Sequence, residues 1–183
     1  AQEYLNIDSE VTDIYRTAYN MTKHHAYLDN SSASVLTDGI EFFPKLKEEL
    51  LKAEKFILMQ FYIIRTDSLG KDILDILKYK ASQGVDVYLL YDAVGSIFLN
   101  NKYMKSLLNA GVKVDVIDPI AFGFFDTRVN YRNHRKQVVI DGNVGFIGGM
   151  NLGNEYYKKL RRVPMFRDTQ IMISGKAVNS IKA

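Results

Sequence analysis

Apolar residues recur at two different spacings along the chain, and their alternation predicts a layered α/β domain. Helical spacing is found in the segments 40–53, 70–84 and 101–111. Short apolar runs typical of covered strands lie at 55–64, 85–92 and 112–118. Repeated strand–helix–strand units favour a largely parallel sheet with helices on both faces.

The segment 133–147 has a different pattern and predicts a β-hairpin, so the sheet should be mixed. Its two apolar arms flank Asp-Gly-Asn, a tight-turn signal, and a two-residue turn at 142–143 sets one possible register. The pairs that this register places opposite each other are Lys136 with Gly149, and His134 with Asn151. A bulge at the adjacent glycines 148 and 149 would shift the register.

The predicted hairpin gathers His134, Lys136 and Asn151 at one end, and Gly149 leaves space between them. This set suits a tetrahedral oxyanion, because lysine supplies a charge, asparagine supplies N–H donors and histidine can attack or carry a proton. The structural alternative is a histidine satisfied by backbone, a lysine that extends to solvent and a turn asparagine. The combined pattern H-x-K-x4-D followed by G-G-x-N favours the functional interpretation.

Asp141 completes this pattern, and we include it among the candidate catalytic residues. Its parity is opposite to that of His134, so the two side chains should leave the strand on opposite faces. We therefore expect Asp141 to support the turn or a neighbouring backbone segment.

Composition restricts the possible functions only moderately. The chain has 183 residues, of which 47% are hydrophobic and 25% charged, which is enough for one domain with a core. Its net charge of +3 suits an anionic ligand but is weak for a nucleic-acid surface, and the absence of cysteine excludes disulfides and thiolate metal sites. We divide the chain into a polar segment, 1–33, and a catalytic domain, 34–183, with no apolar run of about 18 residues.

The motif "HRKQVVID" followed by "GGMN" resembles the HKD signature of the phospholipase D superfamily. The surrounding "LLYDAVGS", "GFIGGMNLGNEY" and "FRDTQIMISGKAV" are similar to the first catalytic half of bacterial cardiolipin synthases. The resemblance implies transfer of a phosphatidyl group between two phosphatidylglycerols through a phosphohistidine, without a metal or other cofactor. It makes His134 the motif histidine, Lys136 and Asn151 phosphate ligands, and Asp168 the residue that orients the imidazole.

Members of that family carry two such motifs, whereas this sequence contains one. We expect the chain to be half of a longer enzyme, truncated at its C-terminus, and we expect His24 and His25 to be solvated. The implied partners are an anionic phospholipid, a second HKD half of the same polypeptide and, through the parent enzyme, a bacterial membrane whose cytoplasmic side the catalytic part faces. The fragment itself should be soluble, with a homodimer possible and nucleic acid not expected.

Three further residues are weaker candidates for substrate binding. Asp92 and Ser96 follow an apolar strand at its carboxyl end, where parallel sheets bind ligands, and Arg132 could hold an anionic headgroup. The apolar loop at 119–125 could meet lipid or pack under a second half.

Two alternative functions remain open: a one-motif phosphodiester nuclease acting as a homodimer, and a non-catalytic interaction module.

Overall fold

Seven strands form one mixed sheet in the computed structural model, which describes residues 31–97, 99–117, 132–161 and 164–181. The strands are β1 (Ser31–Leu36), β2 (Phe56–Phe61), β3 (Asp86–Asp92), β4 (Lys113–Ile117), β5 (Gln137–Ile140), β6 (Val144–Gly148) and β7 (Gln170–Gly175). Their order across the sheet is β1-β7-β6-β5-β2-β3-β4. The predicted α/β class and the mixed sheet are confirmed.

The sheet contains fewer parallel pairs than the sequence pattern predicted. β2, β3 and β4 run parallel to one another, whereas β2 pairs with β5, β5 with β6, β6 with β7 and β7 with β1 in antiparallel fashion. Parallel pairing of neighbouring strands requires a crossover segment, and helices supply it between β2 and β3 and between β3 and β4. The helix between β1 and β2 joins two strands that are not neighbours in the sheet. The expectation of a largely parallel sheet is therefore corrected to a sheet with a parallel half and an antiparallel half.

The three predicted helices are present within two residues of their expected bounds. They are α1 (Gly39–Lys52), α2 (Ser68–Ser82) and α3 (Asn101–Asn109). The side chains of Asp38, Asp67 and Asn100 accept backbone N–H groups at the three helix starts, which explains where each helix begins.

The main core lies between these helices and one face of the sheet. Phe42, Ile73 and Leu107, one from each helix, are fully buried in the same cluster as Met59 and Val138. Their contacts place the three α-helices of the described ranges on one face, so within those ranges α-helices cover one of the two predicted faces.

The opposite face carries a short 3-10 helix, Lys176–Ser180, in the part of the chain that the structure describes. Val178 of this element packs with Val139 and Ile181 in a separate small cluster.

The division of the chain at residue 34 stays a prediction. β1 begins at Ser31, three residues before the expected boundary at residue 34. His24 and His25, the rest of the polar segment 1–30, and the apolar loop at 119–125 lie outside the described residues.

The topology brings five strand ends to one edge of the sheet. β2 and β3 end there, and β5 starts there because it is antiparallel to β2. β6 returns to the same edge and β7 starts from it. The segments that flank these strand ends, 132–136, 149–152 and 164–169, therefore meet at one place.

Candidate active site

The hairpin that carries the motif has a three-residue turn, so its predicted register is wrong by one residue. Ile140 pairs with Val144, and Val138 with Phe146. Asp141 and Gly142 both take left-handed conformations, with φ 54° and 72°, and the Asn143 N–H donates to the Ile140 carbonyl at 3.0 Å, so Asn143 is the additional residue before Val144. Continuing the observed register sets Lys136 beside Gly148, whose N–H donates to the Lys136 carbonyl at 3.3 Å.

Asp141 acts on the backbone that precedes β2, as its parity indicated. Its Oδ1 accepts the N–H groups of Lys55 and Phe56 at 2.8 Å each, and its Oδ2 accepts that of Glu54 at 2.8 Å. Burial would raise the pKa of Asp141, but these three N–H donors lower it below the ordinary aspartate value. The carboxylate therefore ties the hairpin turn to the start of the neighbouring strand.

His134 and Lys136 meet directly at the edge of the sheet. Lys136 Nζ lies 2.7 Å from His134 Nδ1 and donates to the His134 carbonyl at 2.6 Å. A charged lysine can only donate, so Nδ1 accepts and the proton of a neutral imidazole lies on Nε2. The imidazole is exposed, whereas the lysine side chain reaches it from a buried position.

Lys136 is a buried cation with a strongly perturbed pKa. The residue is 3% exposed, and burial lowers its pKa to about 8, with the negative charge of Asp168 opposing that shift. An anion at this place would stabilise the charged form, because it would replace the hydration that burial removes. The lysine is therefore suited to bind phosphate.

The surroundings of His134 keep the imidazole mostly neutral. Burial and the charge of Lys136 lower the pKa of His134, while the Asp92 carboxylate raises it. The imidazole also lies against the Tyr62 ring, with ring centroids 4.5 Å apart and an interplanar angle of 44°. A neutral imidazole has a lone pair, which nucleophilic attack requires.

Asn151 lies beside the end of β2. Its Oδ1 accepts the N–H of Ile63 at 3.0 Å, and its Nδ2 donates to the Tyr156 hydroxyl at 3.2 Å. An amide carries two N–H donors, and the second one has no partner among the described residues. Asn151 is 4% exposed, so this geometry holds its side chain in a single orientation.

Gly149 was predicted to leave a space beside Lys136, but in the structure it lies against Asp168. A Cβ atom built at this glycine would lie 2.3 Å from Oδ1 and 2.4 Å from Oδ2 of Asp168. The space that the missing side chain leaves is thus occupied by a carboxylate and is not a hole opposite Lys136. Gly149 permits the close approach of Asp168 to the motif.

Asp168 comes near the motif without a hydrogen bond to His134 in the described structure. Its Oδ1 accepts its neighbour's N–H, that of Thr169, at 2.7 Å. Its charge acts on Lys136, as the pKa of that residue shows. The orienting role of Asp168 that the resemblance implied stays a prediction.

The three weaker candidates differ in their placement. Asp92 is fully buried, with Oδ1 accepting two N–H groups of the following turn and Oδ2 without a partner among the described residues. Ser96 is 4% exposed and bonds to the Tyr62 carbonyl and the Ile64 N–H at 3.1 Å each. Arg132, partly exposed, precedes the motif. Asp92 therefore holds the turn after β3, and Ser96 holds the backbone of Tyr62 and Ile64 beside the site.

Two tyrosines of the site were missed as functional residues. Tyr62 was counted as part of the apolar run 55–64. Its position after the carboxyl end of a parallel strand could have identified it as a candidate binding residue. Tyr156 lies in the 3-10 helix Asn154–Tyr156, and no sequence signal connected it to Asn151. The contact of Tyr62 with His134 joins distant parts of the chain, whereas Tyr156 lies five residues after Asn151.

The described residues contain neither a metal-ligand cluster nor a helix of membrane-spanning character. No group of three or more His, Cys, Asp or Glu side chains in those ranges could hold a metal ion. Within the same ranges, no helix has the length and hydropathy needed to cross a membrane.

The fold and the motif geometry agree with the phospholipase D (PLD)-like class that the resemblance implies. A family model described as "Cardiolipin synthase, PLD-like domain" matches residues 46–163. The chain belongs to this family.

A cardiolipin synthase of Geobacillus kaustophilus is 42% identical over 182 residues, a match that covers 100% of this chain and 36% of the relative. The chain thus spans about a third of the length of the curated relatives it matches.

Solved structures support the fold at lower identity. NucT from Helicobacter pylori has a TM-score of 0.62 and 17% identity, with 84% of this chain and 92% of that chain covered. The phospholipase D family member Nuc from Salmonella typhimurium has a TM-score of 0.61 and 16% identity, with 84% and 90% covered. At these identities the likeness establishes the shared fold alone.

Proposed function

We propose that this chain forms one half of the active site of a phosphatidyltransferase that makes cardiolipin from two phosphatidylglycerols and releases glycerol. The observation that carries the proposal is the exposed imidazole of His134 held 2.7 Å from the ammonium of the buried Lys136. This pair combines a neutral nucleophile with a cation that lacks full hydration. The similarity to cardiolipin synthases supplies the substrate class.

In the first step, a ring nitrogen of His134 attacks the phosphorus of one phosphatidylglycerol. A P–N bond forms, the bond from phosphorus to the headgroup glycerol oxygen breaks, and an acid protonates the departing oxygen. Lys136 and the free N–H of Asn151 bind the non-bridging phosphate oxygens, where negative charge accumulates.

In the second step, a hydroxyl of the second phosphatidylglycerol attacks the phosphohistidine. The new P–O bond forms, the P–N bond breaks, and the hydroxyl proton passes to a base. His134 cannot be nucleophile and acid in the same step, so a second group must act on the glycerol oxygen. We assign that role to the histidine of a second HKD half in the same polypeptide, which makes that half the principal partner of this chain.

Phosphate binding would also prepare the nucleophile. With Lys136 on Nδ1, the imidazole proton lies on Nε2, and attack from Nε2 requires that proton to move to Nδ1. A bound phosphate competes for the lysine ammonium and releases Nδ1, whose N–H can then donate to Asp168. The carboxylate would hold the tautomer that leaves the Nε2 lone pair free.

The substrate also implies a location for the parent enzyme. Phosphatidylglycerol is a bilayer lipid, so the active site must work at the surface of a bacterial membrane, and we propose the cytoplasmic side. Arg132, which precedes the motif, is a candidate contact for the anionic headgroup.

The test uses the longer polypeptide that we propose contains this chain, supplied with vesicles of labelled phosphatidylglycerol. Cardiolipin and glycerol should form in equal amounts, and an acid-labile phosphoprotein should be trapped on quenching. His134→Asn should abolish both signals, whereas Lys113→Met, a substitution of a lysine on the distant strand β4, should abolish neither. Normal cardiolipin formation by a folded His134→Asn protein would refute the proposal.

The isolated 183-residue chain separates this proposal from the homodimeric nuclease. We expect it to bind inorganic phosphate and to turn over phosphatidylglycerol and single-stranded DNA negligibly, because it contains one HKD motif. Sedimentation velocity and both assays on the same preparation provide the comparison. A dimer that cleaves DNA or transfers lipid efficiently, and loses this activity on His134→Ala, would overturn the half-site assignment.

A further inference from the structure

Tyr62 contacts both charged members of the motif. Its ring centroid lies 4.5 Å from that of His134, and Lys136 Nζ lies 5.2 Å from the same ring centroid. Lys136 Nζ is in turn 2.7 Å from His134 Nδ1, so the three groups form a closed set of contacts. The face of an aromatic ring attracts a cation, and tilted ring pairs are favourable at this separation.

The backbone of Tyr62 is held from the opposite side by the turn after β3. Ser96 Oγ donates to the Tyr62 carbonyl at 3.1 Å and accepts the N–H of Ile64 at 3.1 Å. A Cβ atom at Gly95 would lie 2.3 Å from the Tyr62 carbonyl oxygen and 3.0 Å from its ring, so the glycine allows the turn to lie against Tyr62. Asp92 Oδ1 fixes that turn by accepting two of its N–H groups.

The local support of His134 in the described residues comes from Lys136, which contacts its ring and its carbonyl. His134 is exposed and belongs to segment 132–136, which has no regular secondary structure. Without an external contact, its side chain could adopt several rotamers, and ordering it at the moment of attack would slow the reaction. Hydrogen bonds of Asp92 and Ser96 fix the turn after β3, and Tyr62 connects that turn to the imidazole.

We propose that Tyr62 is a positioning residue for His134 and Lys136, whose ring holds the imidazole and the ammonium in the mutual orientation that phosphate binding requires. The role depends on the aromatic ring and not on the hydroxyl. Phenylalanine at position 62 should therefore preserve the role, and an aliphatic residue of similar volume should lose it. The inference rests on the proposed function only in that these two side chains bind phosphate. It requires no particular lipid substrate.

The first test compares Tyr62→Leu and Tyr62→Phe in the 183-residue chain by calorimetric titration with inorganic phosphate. Tyr62→Leu should weaken phosphate binding by roughly threefold to tenfold, the range expected from the loss of one aromatic contact. The loss should be larger at pH 8 than at pH 6.5, because removal of the ring disfavours the charged form of Lys136. Asp168 and His134 face this lysine and Asp92 faces His134; all three remain in both variants. Tyr62→Phe should retain the affinity of the original chain.

The matched control is Tyr88→Leu, which removes a tyrosine whose ring lies 4.5 Å from Lys113 Nζ, a similar contact away from the motif. This substitution should leave phosphate affinity unchanged at both pH values. A general loss of stability would affect both leucine variants alike, so only a positioning role predicts the difference between them.

A second measurement needs no substitution of Tyr62. The His134 ring protons should show an upfield NMR shift from the Tyr62 ring current, assigned by the signal that disappears in His134→Asn. The chain has three histidines, so the assignment is simple. An absent ring-current shift, or a folded Tyr62→Leu variant with unchanged phosphate affinity and an unchanged pH profile, would overturn the inference. Failure of cardiolipin formation alone would count against the proposed function and leave these results unaffected.

Discussion

Replacing Lys136 with methionine should make the protein more stable near neutral pH while it removes phosphate binding. Methionine has a similar length and no charge, so it can occupy the buried path of the lysine side chain without a desolvation penalty. It also loses the lysine's hydrogen bonds to the ring and carbonyl of His134. The gain at pH 7 is therefore smaller than the full cost of burying the charge.

The magnitude of that cost follows from the pKa of Lys136. Folding lowers it from 10.5 to about 8, a difference of about 2.5 units, which corresponds to roughly 3 kcal/mol at about 1.4 kcal/mol per unit. Below pH 8 the lysine is charged in both states and the cost is fully present. Between pH 8 and 10.5 the unfolded state binds more protons, so the stability of the unsubstituted protein rises with pH and the cost disappears.

The assay is chemical denaturation of the unsubstituted chain and of Lys136→Met at intervals from pH 7 to pH 10.5. Other ionisable groups are common to both proteins, so the difference between the two free energies of unfolding isolates Lys136. This difference should change by up to about 3 kcal/mol in favour of the unsubstituted chain as pH rises. Lys113→Met is the control: Asp86 raises the pKa of Lys113, so its contribution should not change between pH 8 and pH 10.

Added phosphate provides a second check, because a bound anion favours the charged lysine and should reduce the pH dependence of the difference. If Lys136→Met and the unsubstituted chain show parallel stability profiles over this range, Lys136 ionises as an ordinary exposed lysine. The burial and pKa reasoning would then be refuted, and with it the physical basis for a phosphate-binding cation.

Three other predictions concern the motif and its surroundings. Asp141→Asn should destabilise the chain by about 2 kcal/mol, or roughly 4–8 °C in melting temperature, because an amide has one oxygen to replace a carboxylate that accepts three N–H groups; a folded variant of normal stability that forms no phosphohistidine would contradict its structural role. Gly149→Ala should displace the Asp168 carboxylate, so its phosphohistidine yield should fall to the level of Asp168→Ala, as measured by acid-labile phosphate, and an unchanged yield would show that the close approach is unimportant. Cardiolipin formation by the longer polypeptide should survive EDTA, because the mechanism assigns phosphate charge to Lys136 and Asn151; complete loss reversed by a divalent cation would contradict it.

Local pattern was sufficient for most of the secondary structure. Each α-helix in the described residues was predicted within two residues because apolar spacing is a local signal. The three parallel strands followed from short apolar runs between those helices. The proportion of parallel and antiparallel strand pairs could not be predicted in the same way. β1 and β7, for example, pair residues as far apart in sequence as Ser31 and Gly175.

The register of the β5–β6 hairpin could not be predicted from local sequence. Asp-Gly-Asn is compatible with turns of two or three residues, and the left-handed pair Asp141 and Gly142 places the turn one residue earlier than predicted, with Asn143 as its third residue. The bonds that hold Asp141 come from Glu54, Lys55 and Phe56, which are 85–87 residues away in sequence. A contact so distant leaves no mark on the turn sequence itself, and the predicted register was therefore wrong by one residue.

The sequence by itself determined which side chains could carry the chemistry: the spacing of His134, Lys136 and Asn151 is specific enough to predict a phosphate site and to recognise the family. Tertiary structure alone decided how they are arranged, because five strand ends meet at one edge only after the sheet has formed. It buried Lys136 and brought Asp168 against Gly149. Pairwise contacts and desolvation depend on distance in space, which a linear pattern of residues does not specify.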